Sequence, residues 1–119
     1  AAGVNLAFGS DAPVETICPM MGIRSAMERR SWGGAPAGGW FPEERLTAEQ
    51  AISGYTIGAA YAAGLEQTTG SLRAGNLADF VLLSHDIRSL PLDELQQVEV
   101  VATVVGGRAV HDPRGVFAR

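Results

Sequence analysis

A chain of 119 residues with 46% apolar residues has room for one hydrophobic core and the composition of a soluble globular protein. Its net charge is −4 and its acidic residues are scattered, which excludes nucleic acid and anionic membranes as expected partners. No apolar run approaches the roughly 20 residues that cross a bilayer. The one cysteine, Cys18, excludes an internal disulfide and favours a reducing, cytoplasmic compartment.

The start of the chain is its most informative stretch. The apolar segment 3–8 predicts a buried strand, which breaks off in Gly9-Ser10-Asp11. Parallel α/β enzymes keep catalytic groups at such strand ends, so Asp11 is a candidate catalytic carboxylate. The sequence opens in this strand with neither an initiator Met nor a signal-peptide pattern. We therefore expect the chain to be cut from something longer.

A helix and an aromatic loop are predicted next. Apolar residues at helical spacing predict a helix over 20–30, with arginines on its solvated face at Arg24, Arg29 and Arg30. The segment 31–42 is rich in Gly and Pro and is predicted to be a loop. Its aromatic residues either pack the loop against its surroundings or contact a substrate or subunit. They are Trp32, Trp40 and Phe41.

Two more helices are predicted before the chain changes character. Thr47-Ala48-Glu49-Gln50 has the form of a capping box and predicts a helix through Tyr55. A short helix over 56–63 follows, and Gly64 ends it. Small residues in this last helix allow it to lie close against a neighbour.

The second half is predicted to be rich in β-structure. We expect strands over 80–83, 98–105 and 108–111, with one helical turn over 92–95 between the first two. Gly106-Gly107 predicts a two-residue hairpin turn between the last two strands, since a positive φ costs glycine little.

Four segments, in this order, resemble the C-terminal portion of the metal-dependent amidohydrolases, most closely their exoenzyme-like and N-acyl-amino-acid-deacylase-like branch. The segments are Phe8-Gly9-Ser10-Asp11-Ala12-Pro13, then 46–51 with 55–60, then 70–79, then 101–108. The resemblance implies an α/β fold: a C-terminal fragment of a TIM (β/α)₈ barrel plus the C-terminal strands of a small composite β-sandwich. Residues 1–64 would be the last βα unit with its following helices, and residues 65–119 the sandwich strands.

The resemblance also implies a function, which is hydrolysis of an amide or related C–N bond by a metal-activated water. Asp11 would be the strand-eight aspartate, which binds a divalent metal, zinc, and takes the proton from the attacking water. The family's His-x-His pair and its further histidine ligands have no counterpart here. We therefore expect this chain alone to be inactive and the metal to belong to the full-length protein. The implied partners are a small-molecule substrate, the remainder of the barrel chain and further copies in a homo-oligomer.

Each candidate residue has a simpler interpretation. Asp11 could cap the loop that follows it. Ser10 lacks a nucleophile elbow, and Cys18 has no activating partner and is expected to be a small packed residue. His85 and His111 are expected to be surface or hydrogen-bonded histidines rather than metal ligands.

Two further hypotheses concern the structural role of one motif and whether the protein is an enzyme at all. The most family-like motif is expected to shape turns rather than to carry catalysis; it comprises Gly70, Gly75 and Asp79. As an alternative to the enzyme, the chain could be an inactive truncated fragment or a stand-alone interaction module that folds only through oligomerisation.

Overall fold

The computed structural model describes residues 3–118. Residues 1 and 2, which begin the first predicted domain, and residue 119, which ends the second, lie outside the described residues. The described part is an α/β structure with three α-helices, two 3₁₀ helices and three strands. These elements are α1 (Pro19–Glu28), a 3₁₀ helix (Pro42–Glu44), α2 (Ala48–Tyr55), α3 (Ile57–Ala62), β1 (Phe80–Leu83), a second 3₁₀ helix (Leu92–Gln97), β2 (Val100–Val105) and β3 (Arg108–His111).

The three strands form one antiparallel sheet in the order β1-β2-β3. Phe80 lies opposite Val104 across the first pair. The predicted glycine hairpin is confirmed: Gly106 and Gly107 have φ values of 56° and 77° and join β2 to β3. Strand β2 begins two residues later than predicted, because Val98 still caps the preceding 3₁₀ helix.

The strand predicted over 3–8 is not formed, and this expectation was wrong. Residues 3–10 have no regular secondary structure, and Val4 is 73% exposed. The Phe8 N–H donates to the Gly54 carbonyl oxygen at 2.9 Å, which ties the segment to α2 rather than to a strand. A strand needs a ladder partner, and the three described strands pair only with one another.

Helix α1 ends at Glu28, two residues earlier than predicted, so Arg29 and Arg30, which were expected on its solvated face, follow the helix and are half-buried. Arg29 adopts a left-handed conformation with φ of 57°, and its N–H donates to the Ser25 carbonyl oxygen at 2.8 Å. The helix begins at Pro19, a residue favoured in the first turn because its missing N–H has no partner there in any case.

The predicted capping box at the start of α2 is confirmed. Thr47 Oγ1 accepts a hydrogen bond from the Gln50 N–H at 3.3 Å, and Gln50 Oε1 accepts one from the Thr47 N–H at 2.9 Å. Thr56, with φ of −120° and ψ of −96°, separates α2 from α3. Gly64 follows α3 with φ of 70°, as expected of a residue that ends a helix.

The hydrophobic core is built from both halves of the sequence. Side chains of α1 and α2 meet two residues from beyond β1. The cluster consists of Ile23, Met27, Ala48, Ala51, Ile87 and Leu95. The domain boundary predicted after residue 64 stays a prediction. In the described part of the chain, core residues from both sides of that boundary pack against one another. Within residues 3–118, every helix is too short or too polar to cross a membrane.

Candidate functional site

The segment that carries Asp11 lies directly on α2 and α3. A Cβ atom at Gly54 would overlap the Phe8 ring, and one at Gly58 would overlap the Leu6 carbonyl oxygen. The Phe8 ring also packs against Tyr55, with ring centroids 5.5 Å apart. Glycine at these two helix positions therefore lets the segment approach the helices. For α3, this agrees with the prediction that its small residues allow close packing against a neighbour.

Asp11 is an exposed carboxylate at the first position of a turn. Its backbone has φ of 51°, and the turn is closed by the Val14 N–H, which donates to the Asp11 carbonyl oxygen at 2.9 Å. Among residues 3–118 the Asp11 side chain has no hydrogen-bond or ion-pair partner. Because the backbone closes this turn, the carboxylate is free to meet another group.

A cleft of about 350 Å³ lies beside this turn. It runs between the end of segment 3–10, the loop before α1, helix α1 and the start of the aromatic loop. The lining residues are Gly9, Ser10, Glu15, Thr16, Cys18, Met21, Gly22, Ser25, Ser31, Trp32 and Tyr55. The cleft combines hydroxyl groups with the aromatic surface of Trp32 and Tyr55, so it offers both hydrogen bonds and apolar contact to a small molecule.

Tyr55 reaches the cleft from α2. Its hydroxyl lies against Gly22 of α1, where a Cβ atom would overlap it. Partial burial raises the pKa of the Tyr55 hydroxyl, so this group stays neutral and available as a hydrogen-bond donor at physiological pH.

Arg24 is buried, which corrects the expectation that it lies on the solvated face of α1. It is 9% exposed and Glu28 is 4% exposed, and Arg24 Nε lies 3.0 Å from Glu28 Oε1. Arg24 Nη1 also donates to Gln96 Oε1 at 3.4 Å. The guanidinium carbon lies 4.8 Å from the centroid of the Trp32 ring. A buried ion pair thus supports the aromatic residue that lines the cleft.

The second tryptophan makes a similar contact elsewhere. Arg29 lies over the Trp40 ring at 5.0 Å, and Trp40 packs edge-to-face against Phe41 with centroids 4.7 Å apart. Trp40 does not line the cleft beside Asp11. The aromatic loop therefore places one tryptophan at the cleft and the other away from it.

The other candidate residues have ordinary surroundings. His85 and His111 are exposed, and His85 Nδ1 lies 2.9 Å from Ser84 Oγ. Cys18 is also exposed, so the expectation of a packed thiol was wrong; the residue lies in the loop ahead of α1, outside the core. Asp79 has the expected structural role: its carboxylate accepts hydrogen bonds from Thr69 Oγ1 at 3.0 Å and from the Gly106 N–H at 2.7 Å.

A metal centre is not completed by the described residues. Across residues 3–118, no three side chains of His, Cys, Asp or Glu come together in a way that could hold a metal ion. Asp11 fits as one oxygen ligand, since its carboxylate is exposed and unpaired, while a zinc site takes three or four protein ligands.

The match to known proteins covers nearly all of these features. The model of the amidohydrolase family matches residues 1–111, from before the Asp11 segment to the end of β3. This chain belongs to the amidohydrolase family. The expected superfamily is thereby confirmed, while the particular branch within it stays a prediction.

Individual proteins are also similar to this chain. Protein LONG AFTER FAR-RED 3 of Arabidopsis thaliana is 41% identical over 111 residues, which cover 89% of this chain and 18% of the relative. N-substituted formamide deformylase of Arthrobacter pascens is 35% identical, covering 89% of this chain and 19% of its own length. Imidazolonepropionase of Acinetobacter baumannii is 68% identical over 37 residues, which are 31% of this chain and 9% of that enzyme. This chain thus spans about a fifth of the length of the first two of these relatives.

Sequence reasoning did not find the cleft or the buried ion pair. Arg24 and Glu28 have the i,i+4 spacing of a helical ion pair, which was the available signal. Arg24 also donates a hydrogen bond to Gln96, which is 72 residues away in sequence and gives no local signal.

Proposed function

We propose that this chain is the C-terminal part of a metal-dependent amidohydrolase that cleaves an amide or related C–N bond of a small molecule. The observation that carries the proposal is the Asp11 carboxylate, which is exposed, unpaired within residues 3–118 and directly preceded by Gly9 and Ser10, two residues that line a cleft. Membership of the amidohydrolase family and the hydrolase names of relatives support it.

In this proposal Asp11 binds the metal and handles the proton of the reaction. The carboxylate accepts a proton from the attacking water as the C–O bond forms, and returns it to the leaving nitrogen as the C–N bond breaks. The products are a carboxylic acid and an amine. A divalent ion such as zinc supplies Lewis acidity when it is bound, and its other ligands come from sequence outside these 119 residues.

A second, more open groove supports the idea that further polypeptide covers this face. It has a volume of about 790 Å³ and lies between segment 3–10, α2, α3 and the segment 66–73. Exposed apolar side chains line it at Val4, Leu6 and Tyr61. We infer that the remainder of the barrel chain packs here, with further copies of the protein as the alternative occupant.

Asp11→Asn in the full-length protein tests the proposal. The amide cannot take up the proton, so turnover of an amide substrate should fall by about a hundredfold or more. Bound metal, measured by elemental mass spectrometry, should fall with it. Glu43→Gln is the matched control, because it makes the same change of charge at an exposed position on the first 3₁₀ helix.

Two outcomes contradict the proposal. Full turnover and full metal content in Asp11→Asn would reject the role of Asp11. Absence of both metal and hydrolysis in the unsubstituted full-length protein would favour the alternative, an inactive chain or interaction module.

A further inference from the structure

We propose that the cleft beside Asp11 binds a flat, uncharged, apolar group of the substrate, such as an aromatic ring, and that Trp32 is the wall against which this group packs. Arg24 is the positioning residue that holds Trp32 in place. The inference rests on the proposed function for one point only, that the scissile C–N bond lies at Asp11.

The first argument is that Trp32 is held without being covered. Its ring is fixed by the Arg24 guanidinium at 4.8 Å, yet 44% of the residue is exposed. Arg24 is itself held by Glu28 and by Gln96 Oε1. A cation over the ring of a loop tryptophan stabilises one orientation of that ring. The result is a preset aromatic surface in a Gly- and Pro-rich loop.

The second argument is the size of the cleft. A cavity of roughly 150 Å³ accepts a benzene molecule. The cleft measures about 350 Å³, so it has room for a ring together with the amide group attached to it.

The third argument is charge and hydrogen bonding. None of the described residues that line the cleft is Arg or Lys, and Glu15 is the one carboxylate among them. A carboxylate or phosphate on the substrate would therefore find no counterion there. Hydroxyl groups of Ser10, Ser25 and Tyr55 can pair with a neutral amide.

Trp40 provides an internal control. It has the same kind of arginine contact, Arg29 at 5.0 Å, and lies in the same loop. It does not line the cleft. Effects on protein stability or on the loop as a whole should appear in variants of either tryptophan, whereas effects on substrate choice should appear only at Trp32.

The kinetic test uses the full-length protein and two pairs of amides. Phenylacetamide is compared with acetamide, which places the ring on the acyl side. N-benzylacetamide is compared with N-methylacetamide, which places it on the amine side. In Trp32→Leu the ratio of kcat/KM for the ring-bearing amide to that for its small partner should fall about tenfold in at least one pair. In Trp40→Leu both ratios should equal those of the unsubstituted protein.

The binding test does not depend on turnover. The protein is labelled with 5-fluorotryptophan and titrated with the same amides while its ¹⁹F resonances are recorded. The Trp32 resonance, assigned by its absence in Trp32→Leu, should shift with the ring-bearing amides, and the Trp40 resonance should not.

Arg24 is tested through the same two signals. Replacing it alone would leave Glu28 buried without a counterion, so the double variant Arg24→Met with Glu28→Gln is used. In this double variant the Trp32 resonance of the ligand-free protein should move. The ratio of kcat/KM for the ring-bearing amide to that for its small partner should fall toward the ratio of Trp32→Leu. Arg29→Met is the control and should change neither signal.

The outcomes separate this inference from the proposed function. Ligand-induced shifts at Trp32 in a protein that hydrolyses none of the four amides would support the aromatic site and count against hydrolysis. Hydrolysis with unchanged ratios in Trp32→Leu, and with no shift of the Trp32 resonance, would overturn the aromatic site.

Discussion

Asp86 and Arg88 form a surface ion pair in which both carboxylate oxygens are engaged. Arg88 Nε lies 2.9 Å from Asp86 Oδ1 and Arg88 Nη2 lies 2.7 Å from Oδ2, and the Arg88 N–H also donates to Oδ1 at 3.1 Å. These hydrogen bonds lower the pKa of Asp86 from 3.8 to about 2. The pair flanks Ile87, a core residue, so it orders the backbone on both sides of a buried side chain.

The pH dependence of this pair follows from the direction of the shift. Because the pKa of Asp86 is lower in the folded protein, the stabilisation is fully present above pH 3.8 and is lost as the pH falls toward 2. In Arg88→Gln the pKa of Asp86 should return toward 3.8, as measured by NMR titration of its carboxyl carbon. Arg114→Gln, which removes a different surface ion pair with Glu99, should leave the titration of Asp86 as it is. An unchanged pKa in Arg88→Gln would show that Arg88 is not the cause.

At the scale of elements, the contact between segment 3–10 and the two short helices positions the candidate site. Phe8 is hydrogen-bonded to Gly54, and the Leu6 carbonyl oxygen occupies the space above Gly58. A backbone atom cannot move aside by changing rotamer. The position of Asp11 therefore depends on glycines in α2 and α3 that lie far from it in sequence.

Gly58→Ala should loosen this contact. Alanine improves helix propensity by about 1 kcal/mol, but the overlap with the Leu6 carbonyl oxygen should cost about 1–3 kcal/mol and push the segment away. Hydrogen exchange of a peptide spanning residues 4–8 should be faster than in the unsubstituted protein. Gly38→Ala, where no atom lies within 4 Å of the added methyl group, should exchange as the unsubstituted protein does. Equal exchange rates in both variants would contradict the proposed packing of segment 3–10 against α3.

At the scale of the whole molecule, one hydrophobic cluster among the described residues links the helices to the segment between β1 and β2. Leu95 is 2% exposed and lies in the 3₁₀ helix between β1 and β2. It packs in the same cluster as Ile23 and Met27 of α1 and Ala51 of α2. Such packing couples the stability of the sheet to that of the helices.

Leu95→Ala should destabilise the protein by about 2–5 kcal/mol, because it removes buried volume that the surroundings fill only in part. Amide protection in α2 and in β1 should fall together, as measured by native-state hydrogen exchange. Leu72→Ala is the control, since Leu72 is 77% exposed and its truncation should cost less than about 0.5 kcal/mol. A loss of protection confined to α2 would mean that the halves unfold independently.

Local patterns predicted most elements correctly, for reasons that individual residues make clear. Thr47 and Gln50 are three residues apart and satisfy each other's backbone groups, so the start of α2 needed no distant partner. Gly106 and Gly107 likewise set their own turn. The end of α1 was missed because Arg29 adopts a left-handed conformation that its residue type disfavours.

The amino-acid sequence by itself determined the capped helices, the glycine hairpin, the motifs that place the chain among the amidohydrolases and Asp11 as candidate. Those features depend on neighbours a few residues apart or on short motifs. Only the tertiary structure decided that segment 3–10 lies on the helices, that Arg24 is buried and supports Trp32, and that a cleft opens beside Asp11. Burial and strand pairing depend on groups brought together from distant parts of the chain, and residue type at one position does not specify them.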